Sequence, residues 1–449
     1  MALRAATEVS LEVLSRIGAR TGFANQEIDV SFKRHRNLDP RDKALISEIV
    51  YGTLRMRLRL DYIIAKFSSI PPAKMERKVL ETIRVALYQA LLLDRIPQAA
   101  AVSGSVEAAP VRSKAFVNGL LRTILREWKD SDLKVLRTEP VRYLEIVHSH
   151  PRWLVERWIE TYGFDFAEKL CRGNNVPPSL HLRVNTKLHS RNDLVSRLVD
   201  AGFAAHPSQY IPEGIRVEKA GDPAALPGFK EGWFVVQDEA SQAVSHLVDP
   251  KPGVRILDAC AAPGGKSTHM AQLSGDRAEI VALDPDPRRL TLLSENCIRL
   301  RLSSIRIVRG DAASPDLARN LGVFDRILVD APCSALGLLH KNPEIRWRRG
   351  GQDLGRLADT QSAILGNAAE LLKMNGLLVY STCTVTREEN EQVVDRFLAD
   401  RPGFKRVDVR PFMAGRMAEL ADEAGFMRTF YAMHGTDGFF AARFVKHED

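Results

Sequence analysis

Two cysteines end short apolar segments in the last third of the chain. Cys333 ends the segment FDRILVDAPC, and Cys383 ends GLLVYSTC. A thiolate can add to C6 of a cytosine, which makes C5 enamine-like and able to attack an electrophilic methyl group. Loss of the C5 proton and elimination then return the thiol. Thiols at these positions could therefore carry out covalent chemistry on a pyrimidine ring, which a lowered thiol pKa would assist.

A glycine-rich turn and two acids predict a site for a nucleoside-containing cofactor. In DACAAPGGK, Gly264 and Gly265 would let the backbone approach a ligand at the start of a helix with free N–H groups. Asp284 follows Gly265 by 19 residues, the usual distance for an acid that accepts hydrogen bonds from ribose hydroxyls. Asp311 could bind an adenine amino group. The alternatives are a tight strand-to-helix turn and, for Asp311, an exposed turn acid.

This spacing fits both a nicotinamide dinucleotide and S-adenosylmethionine, and the cysteines separate the two. Hydride transfer needs no thiols at adjacent strand ends, whereas C5 methylation needs at least one. S-adenosylmethionine is therefore the predicted cofactor. The other cysteines are interpreted as small buried residues: Cys171, Cys260 and Cys297.

Alternating strands and helices are predicted to bring these residues together. The pattern over residues 245–447 is typical of an α/β, Rossmann-like, doubly wound and mainly parallel sheet. Ligands of such sheets bind beyond the carboxyl ends of the strands. Five predicted strand ends carry, in order, Asp258 to Lys266, Asp284, Asp311, Asp330 to Cys333, and Cys383.

Two further domains are predicted before this core. Residues 1–130 show helical periodicity, with Asp39 and Pro40 typical of a helix start, and predict an all-α domain. Residues 140–240 mix a short helix with strand-like segments and predict a small α+β domain. The polar stretch 127–140 is interpreted as a linker between the two.

The basic charge of the chain is concentrated in the predicted helical domain. The formal net charge is +8; residues 1–130 hold 22 Lys and Arg against 14 Asp and Glu, which accounts for all of it. A localised basic excess is typical of a polyanion-binding surface. A solvated basic domain without a ligand is the alternative.

A second basic cluster follows Cys333 and includes an aromatic residue. Its members are Lys341, Arg346, Trp347, Arg348 and Arg349. Such a cluster could bind the phosphates and bases of single-stranded RNA. The alternative is a solvated loop with Trp347 packed into the core.

The segment after Cys383 predicts a helix start. Thr386 and Glu389 have the spacing of a capping box. The segment is therefore interpreted as structural helix initiation rather than as part of a site.

Composition excludes several other classes of protein. No apolar run approaches the roughly 20 residues that span a bilayer, and the N-terminus MALRAATEVS lacks the apolar core of a secretory signal. Five cysteines at irregular spacing, without a CxxC pair, predict free thiols in a reducing cytoplasm and no metal site. A monomer without membrane contact is favoured.

The segments DACAAPGGK, VDAPCSALG, KNPEIRW, YSTCTVTREEN and DGFFAARF resemble the signature blocks of the Nol1/Nop2/Sun family of RNA cytosine-C5 methyltransferases. RDKALISEIVYGTLR and FVNGLLRTILRE resemble a NusB-like helical domain. Together with HPRWLVERW, LRVNT and WFVVQDEAS, the resemblance covers nearly the whole chain.

The resemblance implies a role for each position that matches a family motif. The cofactor would lie against Cys260, Ala261, Ala262, Pro263, Gly264, Gly265 and Lys266, with Asp284 at its ribose, Asp311 near its adenine and Asp330 also beside it. Cys383 would attack C6, and Cys333 would assist product release. Asp330 would also hydrogen-bond the N3/N4 edge of cytosine. The reversed assignment, with Cys333 as the nucleophile, is the main alternative.

The implied substrate is ribosomal RNA, specifically the small-subunit 16S rRNA. Transfer RNA methylation by the same chemistry is one alternative. A non-catalytic RNA-binding assembly factor that retains a methyltransferase-like fold is another, but two intact cysteines argue against it.

Overall fold

The computed structural model describes residues 3–19, 23–218, 220–316 and 321–448 of the chain. The chain forms two compact units. Unit 1 comprises Met1–Val176 and Leu339–Arg349, and unit 2 comprises Pro177–Leu338 and Gly350–Asp449. The domain limits expected from the sequence, 1–130, 140–240 and 245–447, stay predictions.

Unit 1 is built from helices, which the sequence predicts for residues 1–130; three further helices lie in residues 140–173, where the sequence predicts an α+β domain with one short helix. The helices are α1 (Leu3–Ala19), α2 (Ala24–Arg34), α3 (Pro40–Arg55), α4 (Arg57–Phe67), α5 (Arg77–Leu92), α6 (Gln98–Ala108), α7 (Lys114–Glu127), α8 (Pro140–Val147), α9 (Arg152–Tyr162) and α10 (Phe164–Gly173). The predicted start of α3 is confirmed, because Pro40 is its first residue and the Asp39 carboxylate accepts the Asp42 backbone N–H at 2.8 Å. The stretch expected to be a linker contains a 3-10 helix, Asp130–Thr138.

Arg346 is buried in unit 1, on a 3-10 helix formed by Pro343–Trp347. Its guanidinium donates to the backbone carbonyls of Arg55, Ser149 and Asn174 at 3.2, 3.1 and 2.6 Å, and to Asn175 Oδ1 at 2.8 Å. Burial lowers the pKa of Arg346 to about 9.

Trp347 packs against the core of α1 and α3, and its Nε1 donates to the Leu54 carbonyl at 2.9 Å. The interpretation of Arg346 and Trp347 as RNA-binding residues is therefore wrong. Arg346 makes its hydrogen bonds inside the helical unit, and Trp347 packs into the core of that unit, as the alternative for Trp347 predicts.

Unit 2 begins with a small antiparallel sheet of order β2-β3-β1-β4. Its strands are β1 (Leu180–Val184), β2 (Ala204–Pro207), β3 (Gly214–Glu218) and β4 (Phe234–Val236), and α11 (Arg191–Asp200) connects β1 to β2. Apolar residues of β1, β3 and α11, including Leu182, Ile215 and Leu194, form one buried cluster. The α+β character expected for this part of the chain is present in these elements.

The second sheet of unit 2 confirms the predicted doubly wound α/β fold. Its order is β10-β12-β9-β8-β5-β6-β7, with β11 paired to β12. The strands are β5 (Arg255–Asp258), β6 (Glu279–Asp284), β7 (Ile305–Arg309), β8 (Phe324–Asp330), β9 (Leu372–Thr382), β10 (Phe404–Val407), β11 (Met427–Arg428) and β12 (Phe440–Lys446). The connecting helices are α12 (Glu239–Leu247), α13 (Gly265–Leu273), α14 (Pro287–Leu300), α15 (Gly351–Glu370), α16 (Glu391–Asp400) and α17 (Tyr431–His434).

Both faces of this sheet are buried, which explains why its strands are apolar along their length. Ile256 and Leu257 are adjacent in β5 but belong to separate core clusters, because successive side chains of a strand point to opposite faces. The five strands β5 to β9 pair in parallel, whereas β12 is antiparallel to β9. Among the described residues, no helix combines the length and apolar character needed to cross a lipid bilayer.

A buried hydrogen-bonded cluster joins α12 and α13 to Glu213. His246 Nε2 lies 2.8 Å and His269 Nε2 lies 2.5 Å from Glu213 Oε1. Burial opposes ionisation of Glu213, but the two histidines outweigh it and hold the pKa of this carboxyl well below its usual range. A carboxylate can only accept, so both imidazoles donate from Nε2. Glu213 thus links α12 and α13 through Nε2 of both histidines, while His269 Nδ1 is buried without a hydrogen-bond partner among the described residues.

We expect this cluster to make stability depend on pH. Burial lowers the pKa of His269 to about 3. Below about pH 6.5, His269 is therefore protonated in the unfolded chain but stays neutral in the folded protein. Stability should therefore fall as the pH falls, by roughly 1.4 kcal/mol per pH unit between pH 6 and 4.5. Urea unfolding at several pH values should give a flatter dependence for His269→Gln, and parallel curves would contradict this assignment.

Candidate active site

Five parallel strands end at one edge of the large sheet, side by side in the order β9, β8, β5, β6, β7. Asp330 pairs in register with Ser381, and Asp258 with both Leu328 and Ala282. The polar residues that follow these strands therefore lie along the carboxyl edge where doubly wound sheets bind ligands.

The glycine-rich turn connects β5 to α13. Gly264 has φ of 100°, and a Cβ there would lie 2.8 Å from Leu293 Cγ, so a side chain would be both strained and crowded. Behind the turn, the buried Asp258 carboxylate accepts the Ser267 hydroxyl at 2.6 Å, and burial raises its pKa to about 7. The start of α13 therefore presents backbone N–H groups next to a shaped turn, as an anionic or polar ligand requires.

Asp284 is buried at the end of β6, and its carboxylate is already engaged. It accepts the backbone N–H groups of Ala262 and Asp286 at 3.2 and 3.0 Å, and Arg289 Nη1 lies 3.1 Å away. Arg289 also donates to the Ala262 carbonyl. The structure thus ties the predicted ribose acid to the glycine-rich turn. Asp311, by contrast, is exposed beyond β7 and accepts the Ala313 N–H at 2.9 Å.

Lys266 and Asp330 form an ion pair between the turn and the end of β8. Lys266 Nζ lies 2.6 Å from Asp330 Oδ2, and the Ser381 hydroxyl donates to Asp330 Oδ1 at 2.8 Å. The resemblance implies that Lys266 lies against the cofactor but does not define its exact role. In the structure it fixes the Asp330 carboxylate in one orientation, and its ammonium lies 5.0 Å from the centroid of the Phe439 ring.

Cys333 and Cys383 are in direct contact, with their Sγ atoms 3.2 Å apart, and both are free thiols. The hydrogen bond with Cys333 and burial raise the pKa of Cys383 well above its ordinary value. Because the two sulfur atoms are in contact, both thiols can act at the same site. In this state, however, Cys383 holds its proton at neutral pH.

Removing the Cys333 thiol should make Cys383 more acidic, because it removes the largest contribution that raises the Cys383 pKa. In Cys333→Ala, alkylation of Cys383 by iodoacetamide should reach its half-maximal rate at a lower pH than in the wild type. Peptide mass spectrometry isolates the Cys383 signal from the other thiols. An unchanged or higher midpoint would contradict the assignment.

Glu389 is a residue of this site that the sequence interpretation missed. The predicted capping box is wrong, because α16 begins at Glu391 and Glu389 is fully buried. Its carboxylate accepts the backbone N–H and hydroxyl of Ser334, at 2.8 and 2.5 Å, and the Thr386 hydroxyl at 2.9 Å. Its place in the sequence could have indicated this role, because Glu389 lies in a run of polar residues shortly after Cys383 and that run forms part of the same buried loop.

Comparison with known proteins agrees with this architecture. Residues 245–445 match the family described as 16S rRNA methyltransferase RsmB/F, residues 150–223 match the RsmF/B-like ferredoxin-like domain, and residues 4–126 match the NusB family. The probable ribosomal RNA small subunit methyltransferase B of Bacillus subtilis is 36% identical over 447 residues, which cover 96% of this chain and 97% of that protein.

Two solved structures are similar to the chain. The crystal structure of the protein PH0851 has a TM-score of 0.82 and 27% identity and covers 99% of each chain. NSun6 from Pyrococcus horikoshii, solved with the S-adenosylmethionine analogue SFG, has a TM-score of 0.61 and 26% identity and covers 68% of this chain and all of its own. With these matches along its length and a two-cysteine site at the carboxyl edge of its sheet, the chain belongs to the RsmB/F family of 16S rRNA methyltransferases.

Proposed function

We propose that this protein transfers a methyl group from S-adenosylmethionine to C5 of a cytosine in small-subunit ribosomal RNA, through a covalent adduct between Cys383 and C6. The carrying observation is the contact between the Cys333 and Cys383 thiols, 3.2 Å apart at the ends of two adjacent parallel strands. Family membership supports the RNA substrate, and the ligand of NSun6 supports the cofactor.

The residues at the strand ends fit a nucleoside cofactor. Asp258 Oδ1, behind the Gly264 turn, is buried without a hydrogen-bond partner among the described residues, and the left-handed conformation of Gly264 shapes the backbone of that turn. Cys260 to Lys266, Asp284, Asp311 and Asp330 would hold the cofactor, which supplies an electrophilic methyl group when bound. To accept a hydrogen bond from a ribose hydroxyl, Asp284 would use Oδ2, which now pairs with Arg289. The Arg289 side chain is half-exposed and can turn towards solvent.

The two thiols divide the covalent steps. Cys383 gives its proton to solvent and forms the S–C6 bond, and the electron pair of the C5=C6 bond moves to C5. After C5 is methylated, a base takes the C5 proton, the C5=C6 bond re-forms and the S–C6 bond breaks, which returns the Cys383 thiolate. Cys333 touches Cys383 Sγ and is placed to act in this elimination.

Asp330 would bind the edge of the cytosine. Lys266 and Ser381 hold its carboxylate at fixed positions beside the cysteines. A carboxylate accepts hydrogen bonds, so it suits the exocyclic N4 amine of cytosine. Such a contact would favour cytosine over uracil, which has a carbonyl oxygen at that position.

Two further features of the chain support a cellular compartment and a partner: its free cysteines indicate a reducing compartment, and its basic charge indicates RNA. All five cysteines are free, and the proposed reaction uses Cys333 and Cys383 as thiols, so we place the protein in the cytoplasm. The basic excess of residues 1–130 supports docking of RNA on the predicted helical domain.

The test is transfer of labelled methyl groups from S-adenosylmethionine to unmodified 16S rRNA, with unmodified transfer RNA alongside. We expect 5-methylcytidine in the 16S rRNA digest alone. Product only in transfer RNA would replace the proposed substrate, and cofactor and RNA binding without transfer would favour an assembly factor.

A further inference from the structure

The segment that follows Cys383 ends in two adjacent buried polar residues, Glu389 and Asn390. We propose that they are positioning residues that set the Cys333 loop and the Cys383 loop against each other: Glu389 holds the first loop and Asn390 the second. This inference rests on the proposed function for its kinetic consequences, although the geometry that it explains does not.

Glu389 fixes the loop that carries Cys333. Ser334, the residue after that cysteine, gives both its backbone N–H and its hydroxyl to the Glu389 carboxylate. Gln361 of α15 donates to the same carboxylate at 3.0 Å and also to the Pro332 carbonyl at 3.0 Å. The residues on both sides of Cys333 are thus held by one connected network, and a fully buried carboxylate with several donors is costly to remove.

Asn390 fixes the loop that carries Cys383. Its Oδ1 accepts the Thr382 hydroxyl at 2.6 Å, and its Nδ2 donates to the Thr384 carbonyl at 3.1 Å. These two contacts lie on either side of Cys383. The amide uses its acceptor and its donor at once, so neither Asp nor Ala can reproduce both bonds.

The two loops are also joined to each other. The hydroxyls of Ser334 and Thr384, which follow the two cysteines, lie 2.8 Å apart. The Gly337 N–H donates to the Cys383 carbonyl at 3.0 Å, and a Cβ on Gly337 would lie 2.0 Å from the Gly438 carbonyl oxygen. Because the cysteines are flanked by fixed residues, small losses in this network should separate the thiols.

The first experiment measures thiol separation directly and does not depend on methylation. A trivalent aryl arsenical bridges two neighbouring thiols, and its affinity for the wild type should exceed that for Glu389→Ala and Asn390→Ala by about 10-fold, because preorganised groups bind more tightly. Glu391→Gln is the matched control. Glu391 is adjacent to Asn390 in sequence, but its carboxylate pairs with Arg428 and not with either cysteine loop, so the arsenical affinity of this variant should be unchanged.

The second experiment separates the two roles. Asn390→Ala should slow adduct formation with 5-fluorocytosine RNA by about 100-fold. Glu389→Ala should form the adduct but release it slowly, so that a protein–RNA complex accumulates on ordinary RNA. Glu389→Gln should recover much of the release rate, since hydroxyl groups can donate or accept.

The outcomes distinguish this inference from the proposed function. Equal arsenical affinity in all variants, with thermal unfolding unchanged, would overturn the positioning roles whatever the RNA results. If Cys333→Ala accumulates no adduct, the division of labour between the cysteines fails, while weaker arsenical binding in the two Ala variants would still support the positioning roles. Loss of arsenical affinity in Glu391→Gln as well would show general damage and would contradict a specific role.

Discussion

Cys383→Ala should abolish methyl transfer, lowering its rate by at least about 1,000-fold, because it removes the proposed nucleophile. Cys333, the thiol in contact with Cys383, is proposed to assist release and does not replace it. The variant should still bind S-adenosylmethionine, since the cofactor residues lie on other strand ends. It should form no denaturation-resistant complex with 5-fluorocytosine RNA. Labelled methyl transfer and gel analysis of the complex measure both effects.

Cys333→Ala is the matched control for that result. It removes a thiol from the same contact but leaves the proposed nucleophile, so it should accumulate a protein–RNA adduct on ordinary RNA. An adduct that appears in Cys383→Ala and not in Cys333→Ala would reverse the two roles.

Arg346→Ala should destabilise the helical unit by about 3 kcal/mol, since it leaves several buried acceptors without a donor and opens a cavity. In native-state hydrogen exchange, amides of α3 and α9 should exchange about 100-fold faster. Arg346→Lys should have an intermediate effect, because one ammonium cannot reach acceptors that diverge around a planar guanidinium.

Arg112→Ala is a control within the same unit. Arg112 is exposed and pairs with Glu76 at 2.8 Å, and exposed pairs contribute little to stability. If both variants leave exchange of α3 unchanged, Arg346 does not stabilise the unit as its contacts indicate.

The sequence was most informative about the ends of the predicted strands. Strand ends could be placed from the apolar runs and the polar residues after them, and parallel strands bring such ends to a common edge. Asp284 and Asp330 were placed in this way, and so were both cysteines. Their 3.2 Å contact did not follow, because loop conformation beyond Asp330 and Thr382 depends on tertiary hydrogen bonds.

The wrong predictions for the segments that contain Arg346 and Glu389 have a common cause. Arg346 and Glu389 are charged residues in polar stretches, and local sequence assigns such residues to solvent or to helix caps. Each is instead buried by partners distant in sequence, such as Ser149 for Arg346 and Ser334 for Glu389. Burial of a charge through long-range contacts has no periodic signature, so only the structure reveals it.

The segment Leu339–Arg349 lies within the gene region of the methyltransferase core but belongs to the helical unit. A chimera that exchanges only residues 1–176 for those of a relative would pair a foreign set of carbonyls with the native Arg346. The helical unit therefore consists of two separate stretches of sequence that have to match each other. Recombination at one crossover point would break it, whereas transfer of both stretches should preserve it.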